Sequence, residues 1–172
     1  LDQIYPDLAG LQKDFFSNII FQQASQETVS TKYRFAAIFY ALLKDDNSDI
    51  KEIIETMQKN MNFPNSYKEI PLLLYNSFSL INKNISEFTA EHILTIIEKL
   101  NALKKPENLN TIFQLIHMDL DRNFNDKKEL LEESLTSALT IQISNVEEEG
   151  LQGRDIGIKL RELRLNKIQE SL

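Results

Sequence analysis

The chain has 172 residues, 42% of them hydrophobic, and carries a formal net charge of −7. It is long enough to bury a core as one domain or two small ones, and its lack of cysteine excludes disulfides and thiolate sites. The acidic balance argues against broad non-specific binding to nucleic acid or anionic lipid, because such binding needs many cation–phosphate contacts. No apolar run approaches the roughly 20 residues of a membrane span, so we expect a soluble, cytoplasmic protein with no membrane partner.

Hydrophobic periodicity indicates one helix after another, with brief interruptions and no persuasive hairpin. Apolar-rich stretches at 8–25 and 30–44 precede predicted helices at about 49–61, 66–82, 90–103 and 127–146, a helix opened by Pro106, and a last helix that begins near Gly153. The sequence therefore predicts an all-α bundle or array of about eight helices.

Residues with capping side chains mark two of these helix starts. Thr89 is predicted to cap the helix that follows it, and Asp126 with Glu129 offers a capping box for the helix at 127–146. Both arrangements would satisfy backbone N–H groups that the first helical turn leaves unpaired.

Three of the four glycines, Gly150, Gly153 and Gly157, lie within eight residues, and a basic stretch follows them to the end of the chain. Residues 151–172 hold five basic and three acidic side chains, a balance of +2. The preceding 150 residues hold 14 basic and 23 acidic side chains, a balance of −9. The cluster therefore marks a local change in backbone freedom and in the sign of the charge.

Catalytic patterns are scarce in the sequence. The histidines are His92 and His117, and His117 with Asp119 and Asp121 provides no pair of ligands on one helix face. The glycine cluster has the wrong spacing for a phosphate-binding loop or a dinucleotide fingerprint. The acidic run 147–149 is better explained as solvated charge at a helix end than as a metal site. We expect no metal site and no catalytic residue.

The stretch from Gly150 to Gly157, continued by Leu160, Arg161, Arg164 and Ile168, resembles the C-terminal tail of bacterial CCA-adding tRNA nucleotidyltransferases. Residues 1–8 are similar to the end of that family's neck region. Residues 34–44 are similar to the helix that carries a His-Asp signature in members with a hydrolase (HD) domain. The resemblance spans essentially the whole chain and implies an HD-like region within about 28–82.

The HD-like region departs from the family pattern at the residues that carry its chemistry. The chain has Tyr40-Ala41 in place of His-Asp, and a phenol and a methyl group cannot replace two metal ligands. We therefore expect a degenerate HD domain without hydrolase activity, whose helix is kept for packing through an apolar face made of Phe35, Ile38, Phe39, Leu42 and Leu43.

The resemblance implies a division of labour within a larger enzyme. An N-terminal head would hold two catalytic carboxylates and Mg²⁺, and a neck would select CTP or ATP. Because the chain starts at Leu1 within an apolar segment, we expect it to be a fragment without that head, needing no cofactor of its own. A body over 1–146 and a glycine-hinged tail over 147–172 would clasp the acceptor and T arms of tRNA, with the head and neck as further partners.

The candidate RNA-binding residues all belong to the tail: Gln152, Gly153, Arg154, Lys159, Arg161 and Arg164. At 100° per residue the three arginines fall within an arc of about 80°, so one helix face could present three guanidinium groups to phosphates. Ile156, Leu160 and Leu163 are expected to dock the helix on the body. Lys104 and Lys105 are minor candidates.

Two other functions remain open at this point. The chain could be the C-terminal region of a bacterial poly(A) polymerase, although such regions are usually more basic. It could also be a non-catalytic helical module for protein interaction, which its acidity favours.

Overall fold

The computed structural model describes residues 30–44, 50–118, 124–147 and 153–172. All regular elements in these ranges are helices, which confirms the predicted all-α fold class. The α-helices are α1 (Thr31–Lys44), α2 (Ile50–Met61), α3 (Glu69–Ile81), α4 (Ala90–Lys99), α5 (Glu107–Ile116), α6 (Asn125–Leu139), α7 (Ser144–Glu147) and α8 (Arg154–Gln169). Two 3₁₀ turns, Asn65–Tyr67 and Ile85–Glu87, lie between them. The helix predicted over 8–25 lies outside the described residues.

None of the helices in the described ranges is long and apolar enough to cross a membrane.

Several helix boundaries follow directly from local sequence. Helices α1, α2 and α3 occupy the predicted stretches. The cap at Thr89 is also confirmed, because its hydroxyl accepts a hydrogen bond of 3.2 Å from the backbone N–H of His92. Such a cap contributes about 1 kcal/mol to stability.

Helix α4 ends about one turn earlier than predicted, at an asparagine. Asn101 has a φ of 53°, in the left-handed region that asparagine tolerates better than most residues. The N–H groups of Asn101 and Ala102 bond to the carbonyls of Glu98 and Ile97, both at 2.9 Å. These two bonds form a Schellman motif, which satisfies the last carbonyls of the helix.

The prediction of a single helix over 127–146 is wrong in two respects, which concern where the observed helix begins and where it ends. It begins at Asn125, with Phe124 as the N-cap and no side-chain cap, so the capping box at Asp126 does not form. It also stops at Leu139, and the short α7 follows separately. At the break, the hydroxyl of Thr140 donates to the carbonyl of Ser137 at 2.7 Å, a local bond that competes with continuation of the helix.

The chain forms two compact units. The first consists of Leu1–Phe78 and Thr111–Asn123, and the second of Ser79–Asn110 and Phe124–Leu172. The sequence predicts a different division, into a body over 1–146 and a tail over 147–172. That division concerns function and stays a prediction.

The first unit is built around the face of α1 that the sequence predicted to be apolar. Its core cluster consists of Phe39, Leu42, Ile50, Ile53, Ile54 and Met57, with Phe35, Ile38 and Leu43 packed against it. Tyr40 and Ala41, which the resemblance places at the positions of the His-Asp signature, are also buried. The Tyr40 ring meets the Phe78 ring edge to face, with the centroids 5.6 Å apart. Both residues therefore contribute to the packing of the first unit.

The second unit is centred on three helices, because α4, α6 and α8 all contact one another. Apart from Ser134, its buried side chains from these helices are aliphatic, including Ile93, Leu94, Ile96, Ile97, Leu131, Leu135, Ala138, Leu160 and Ile168. Fully burying one such leucine or isoleucine contributes about 1.5–3 kcal/mol. Apolar burial is therefore what holds α8 in the unit.

A lysine links the start of α6 to other parts of the second unit. The Nζ of Lys127 donates to the carbonyl of Ile81, at the end of α3, at 2.9 Å. The same ammonium group lies 4.8 Å from the ring centroid of Phe124 and 5.7 Å from that of Phe88. A helix C-terminus and aromatic faces both favour a cation, so this contact stabilises the loops around α4.

Candidate nucleic-acid interface on the tail helix

Helix α8, called the tail helix below, begins at a glycine, as the sequence predicts. Gly153 is its N-cap, with φ 57° and ψ −119°, and as a glycine it supplies no capping side chain. A Cβ built on Gly153 would meet no atom within 4 Å, so the backbone conformation and not a lack of space requires glycine here. The candidate Gln152 lies outside the described residues.

Arg161 is held by two carboxylates of α4. Its Nη2 and Nη1 donate to the two carboxylate oxygens of Glu91, at 2.6 Å and 3.2 Å. Its Nε donates to the carboxylate of Glu98, at 3.0 Å and 3.3 Å from the two oxygens. The guanidinium group is therefore paired within the protein, and the arrangement is called the Arg161 clamp below.

The clamp changes the titration of its members. The hydrogen bond from Arg161 holds the pKa of Glu91 below its ordinary value of 4.5, although partial burial works in the opposite direction. The same hydrogen bond and the two nearby carboxylates raise the pKa of Arg161. Arg161 thus stays charged in the folded protein, and Glu91 is more acidic than a free glutamate.

Arg164 lies on the side of the tail helix that packs against the unit. Its Nη2 donates to the backbone carbonyl of Ile141 at 3.2 Å, and its buried Nε has no hydrogen-bond partner among the described residues. Leu160 and Ile168, one turn to either side of Arg164, are the buried residues of the tail helix. Arg164 therefore sits in the middle of the docked face.

The predicted arginine face is thus not a free surface. The two internally engaged arginines lie on the docked side of the tail helix, where long side chains pack their stems and extend their charged ends to the rim. Of the three residues predicted to dock the helix, Leu160 is buried, whereas Ile156 and Leu163 are half-buried. The docked face is rotated relative to the prediction, because the periodicity of one helix does not identify the neighbours it packs against.

Two candidate cations remain on the tail helix. Lys159 forms an ion pair of 3.4 Å with Glu162, one turn ahead. Arg154 is exposed, and no hydrogen bond or ion pair joins it to another residue in the described part of the chain. Among the described residues, Arg154 is thus the candidate arginine without an internal partner.

Sequence reasoning missed Glu91 and Glu98, which lie 70 and 63 residues before Arg161. One signal for them was present in the sequence. Positions seven apart on a helix share a face, so the two glutamates form an acidic stripe on α4. Nothing in the sequence says that this stripe faces Arg161.

The remaining polar candidates have structural contacts. The Nε2 of His92 lies 3.0 Å from the carbonyl of Leu80, to which it can only donate, since a carbonyl accepts. The ring of His117 lies against Phe113, with the centroids 6.1 Å apart. Asp119 and Asp121 lie outside the described residues. Among the residues that the structure describes, no group of three or more His, Asp or Glu side chains is placed to hold a metal ion.

No family model matches the chain, and no solved structure matches it significantly. A multifunctional CCA protein from Aliivibrio salmonicida (strain LFI1238) is 26% identical over 172 aligned positions. The alignment covers 90% of this chain and 42% of that protein, so the chain spans less than half the length of the relative. The chain is related to this CCA protein. The relationship agrees with the resemblance seen in the sequence, whereas the assignment of an HD-like region and a C-terminal tail stays a prediction.

Proposed function

We propose that the chain is a tRNA-binding region of a CCA-adding tRNA nucleotidyltransferase. The observation that carries this proposal is its relationship to a CCA protein over 90% of the chain. In this proposal the chain clasps the acceptor and T arms of tRNA, and a separate head adds CCA to the 3′ end with Mg²⁺, CTP and ATP. The described residues contribute binding and no chemistry.

Recognition by such a region would depend on phosphates and shape, since side chains cannot read the narrow major groove of an RNA helix. The start of the tail helix supports this role. Gly153 leaves the first turn without a side-chain cap, and backbone amides at a helix N-terminus favour a phosphate. Arg154 lies at the same end with its guanidinium group exposed. Lys104 and Lys105, exposed residues of the same unit, are secondary candidates.

The test is the affinity of the chain for a transcribed tRNA, measured by fluorescence anisotropy at several salt concentrations. Arg154→Ala should weaken binding about fivefold at low salt, which corresponds to about 1 kcal/mol, the upper value for one solvent-exposed ion contact. It should also reduce the slope of log affinity against log salt by about 0.7–0.9, the contribution of one phosphate contact.

Lys51→Ala is the matched control, because Lys51 is an exposed cation on α2 in the first unit. It removes the same charge and should leave affinity and salt slope nearly unchanged. Replacing Arg154, Arg161 and Arg164 together by Ala should weaken binding further. Unchanged affinity in the triple variant, with folding checked by circular dichroism, would contradict a role for the tail helix in RNA binding.

One observation favours a second candidate, a helical module for protein interaction. Arg161 and Arg164 are both engaged within the protein, as expected for a tail helix whose charges only stabilise the fold. The same titration separates the two functions, because an interaction module would show no saturable, salt-dependent binding of tRNA.

A further inference from the structure

The Arg161 clamp has the geometry with which arginine binds phosphate. Two nitrogens of the guanidinium fork meet the two oxygens of Glu91, and the third nitrogen meets Glu98. A phosphate would use the same planar fork and the same parallel N–H donors. The two glutamates therefore occupy the positions that an RNA phosphate would need on Arg161.

The clamp is also open enough to exchange. The side chains of Arg161, Glu91 and Glu98 are 39%, 58% and 37% exposed. Ion pairs at this exposure are weak, since solvent and salt screen them. The tail helix itself is held by the buried side chains of Leu160 and Ile168, so opening the clamp need not release the helix.

We propose that Glu91 and Glu98 form an autoinhibitory lock on Arg161, which RNA must displace before that arginine contacts a phosphate. The inference rests on the proposed function and extends it. One cation between two carboxylates leaves the closed cluster with a net charge of −1, which repels anions. A single small anion gains little from displacing the carboxylates. An RNA that already contacts other cations of the chain can offset the free energy of breaking the two ion pairs. The lock therefore favours polyanions over free phosphate.

The test compares two double variants that change the net charge equally. Glu91→Gln with Glu98→Gln removes both charges of the lock and keeps the side-chain sizes. Glu129→Gln with Glu133→Gln removes two charges from exposed residues of α6 in the same unit. Transcribed tRNA should bind the first variant at least about threefold more tightly than the second, as expected from releasing two exposed ion pairs. Thermal unfolding of both variants checks that α8 stays docked.

The lock also predicts a dependence on Arg161 itself. In an Arg161→Ala background, the advantage of the Glu91→Gln and Glu98→Gln changes should disappear. Suppose that Arg161→Ala weakens tRNA binding but the two double variants bind tRNA with equal affinity. That result would overturn the lock and leave the proposed function standing. If no variant binds tRNA at low salt, both proposals fail. If the first double variant unfolds, the single variants replace the pair, and Glu91→Gln should bind tRNA more tightly than Glu129→Gln. Equal tRNA affinity of these two single variants would count against the lock.

Discussion

Gly153 and Gly157 differ in backbone conformation and share an open environment. A Cβ would meet no atom within 4 Å at either position, but Gly153 has a φ of 57°, whereas Gly157 lies inside the tail helix. Gly153→Ala should therefore destabilise the second unit by about 1–3 kcal/mol, the cost of a strained backbone. Gly157→Ala should stabilise it by about 0.4–1 kcal/mol, because alanine restricts the unfolded chain. Urea unfolding of the pair separates the two effects, and losses of similar size in both variants would contradict this assignment.

The same comparison shows what local sequence can predict at the scale of single residues. The cap at Thr89 and the helix start at Gly153 follow from side chains and backbone freedom within one turn, and both are confirmed. The predicted box at Asp126 is wrong because the helix starts earlier, at Asn125. Capping patterns of this kind recur along a chain, and tertiary packing decides which of them are used.

At the scale of elements, the contact between α4 and the tail helix should give stability a dependence on pH. The pKa of Glu91 in the folded protein is below its ordinary value of 4.5. Its contribution to stability is therefore complete above that value and is lost as the pH falls through the lower pKa of the folded state. Because the side chain is 58% exposed, we expect at most about 1 kcal/mol.

Urea unfolding of the wild type and of Glu91→Gln checks this expectation. The wild type should be more stable at pH 7, and the difference should shrink as the pH falls below about 4.5. Glu129→Gln, on the exposed part of α6, controls for the general effect of removing a carboxylate. A difference between wild type and Glu91→Gln that stays constant over this range would show that the clamp does not stabilise the fold.

The tail helix also shows where element-level prediction stops. Periodicity predicted the helix and its start, and Leu160 is on the docked face as expected. The periodicity of one helix does not identify its neighbours, however, and the Arg161 clamp depends on an acidic stripe more than 60 residues earlier. In the sequence, an arginine-rich face that is free to bind anions looks the same as one whose arginines pair with carboxylates of the same protein.

At the scale of the whole molecule, the first unit should be inert as a hydrolase even when His and Asp are placed at positions 40 and 41, the pair that the resemblance predicts for an HD site. Tyr40 and Ala41 are both buried in its core, so Tyr40→His with Ala41→Asp places two polar groups where no water can reach them. We expect no metal-dependent phosphatase or phosphodiesterase activity. We also expect a loss of several kcal/mol in stability, the usual result of burying an unpaired charge.

Tyr40→Phe is the control for this double variant, since it keeps the ring that packs on Phe78, and it should lose much less stability. Assays with added Mn²⁺ or Mg²⁺, run below the unfolding temperature of each variant, test the activity. Hydrolysis that requires the metal and both substitutions would mean that the first unit still holds a usable metal pocket.

The proposed lock on Arg161 has a consequence for how a salt titration would count contacts with RNA. A solvent-exposed lysine or arginine that meets a phosphate releases a condensed cation from the RNA, and the salt dependence of binding records that release. In the proposed exchange, Arg161 leaves its glutamates for a phosphate, and the freed carboxylates attract cations back from solution. Part of the release is then cancelled, so the salt slope should report fewer contacts than the RNA makes. The protein supplies its own counterions at this position.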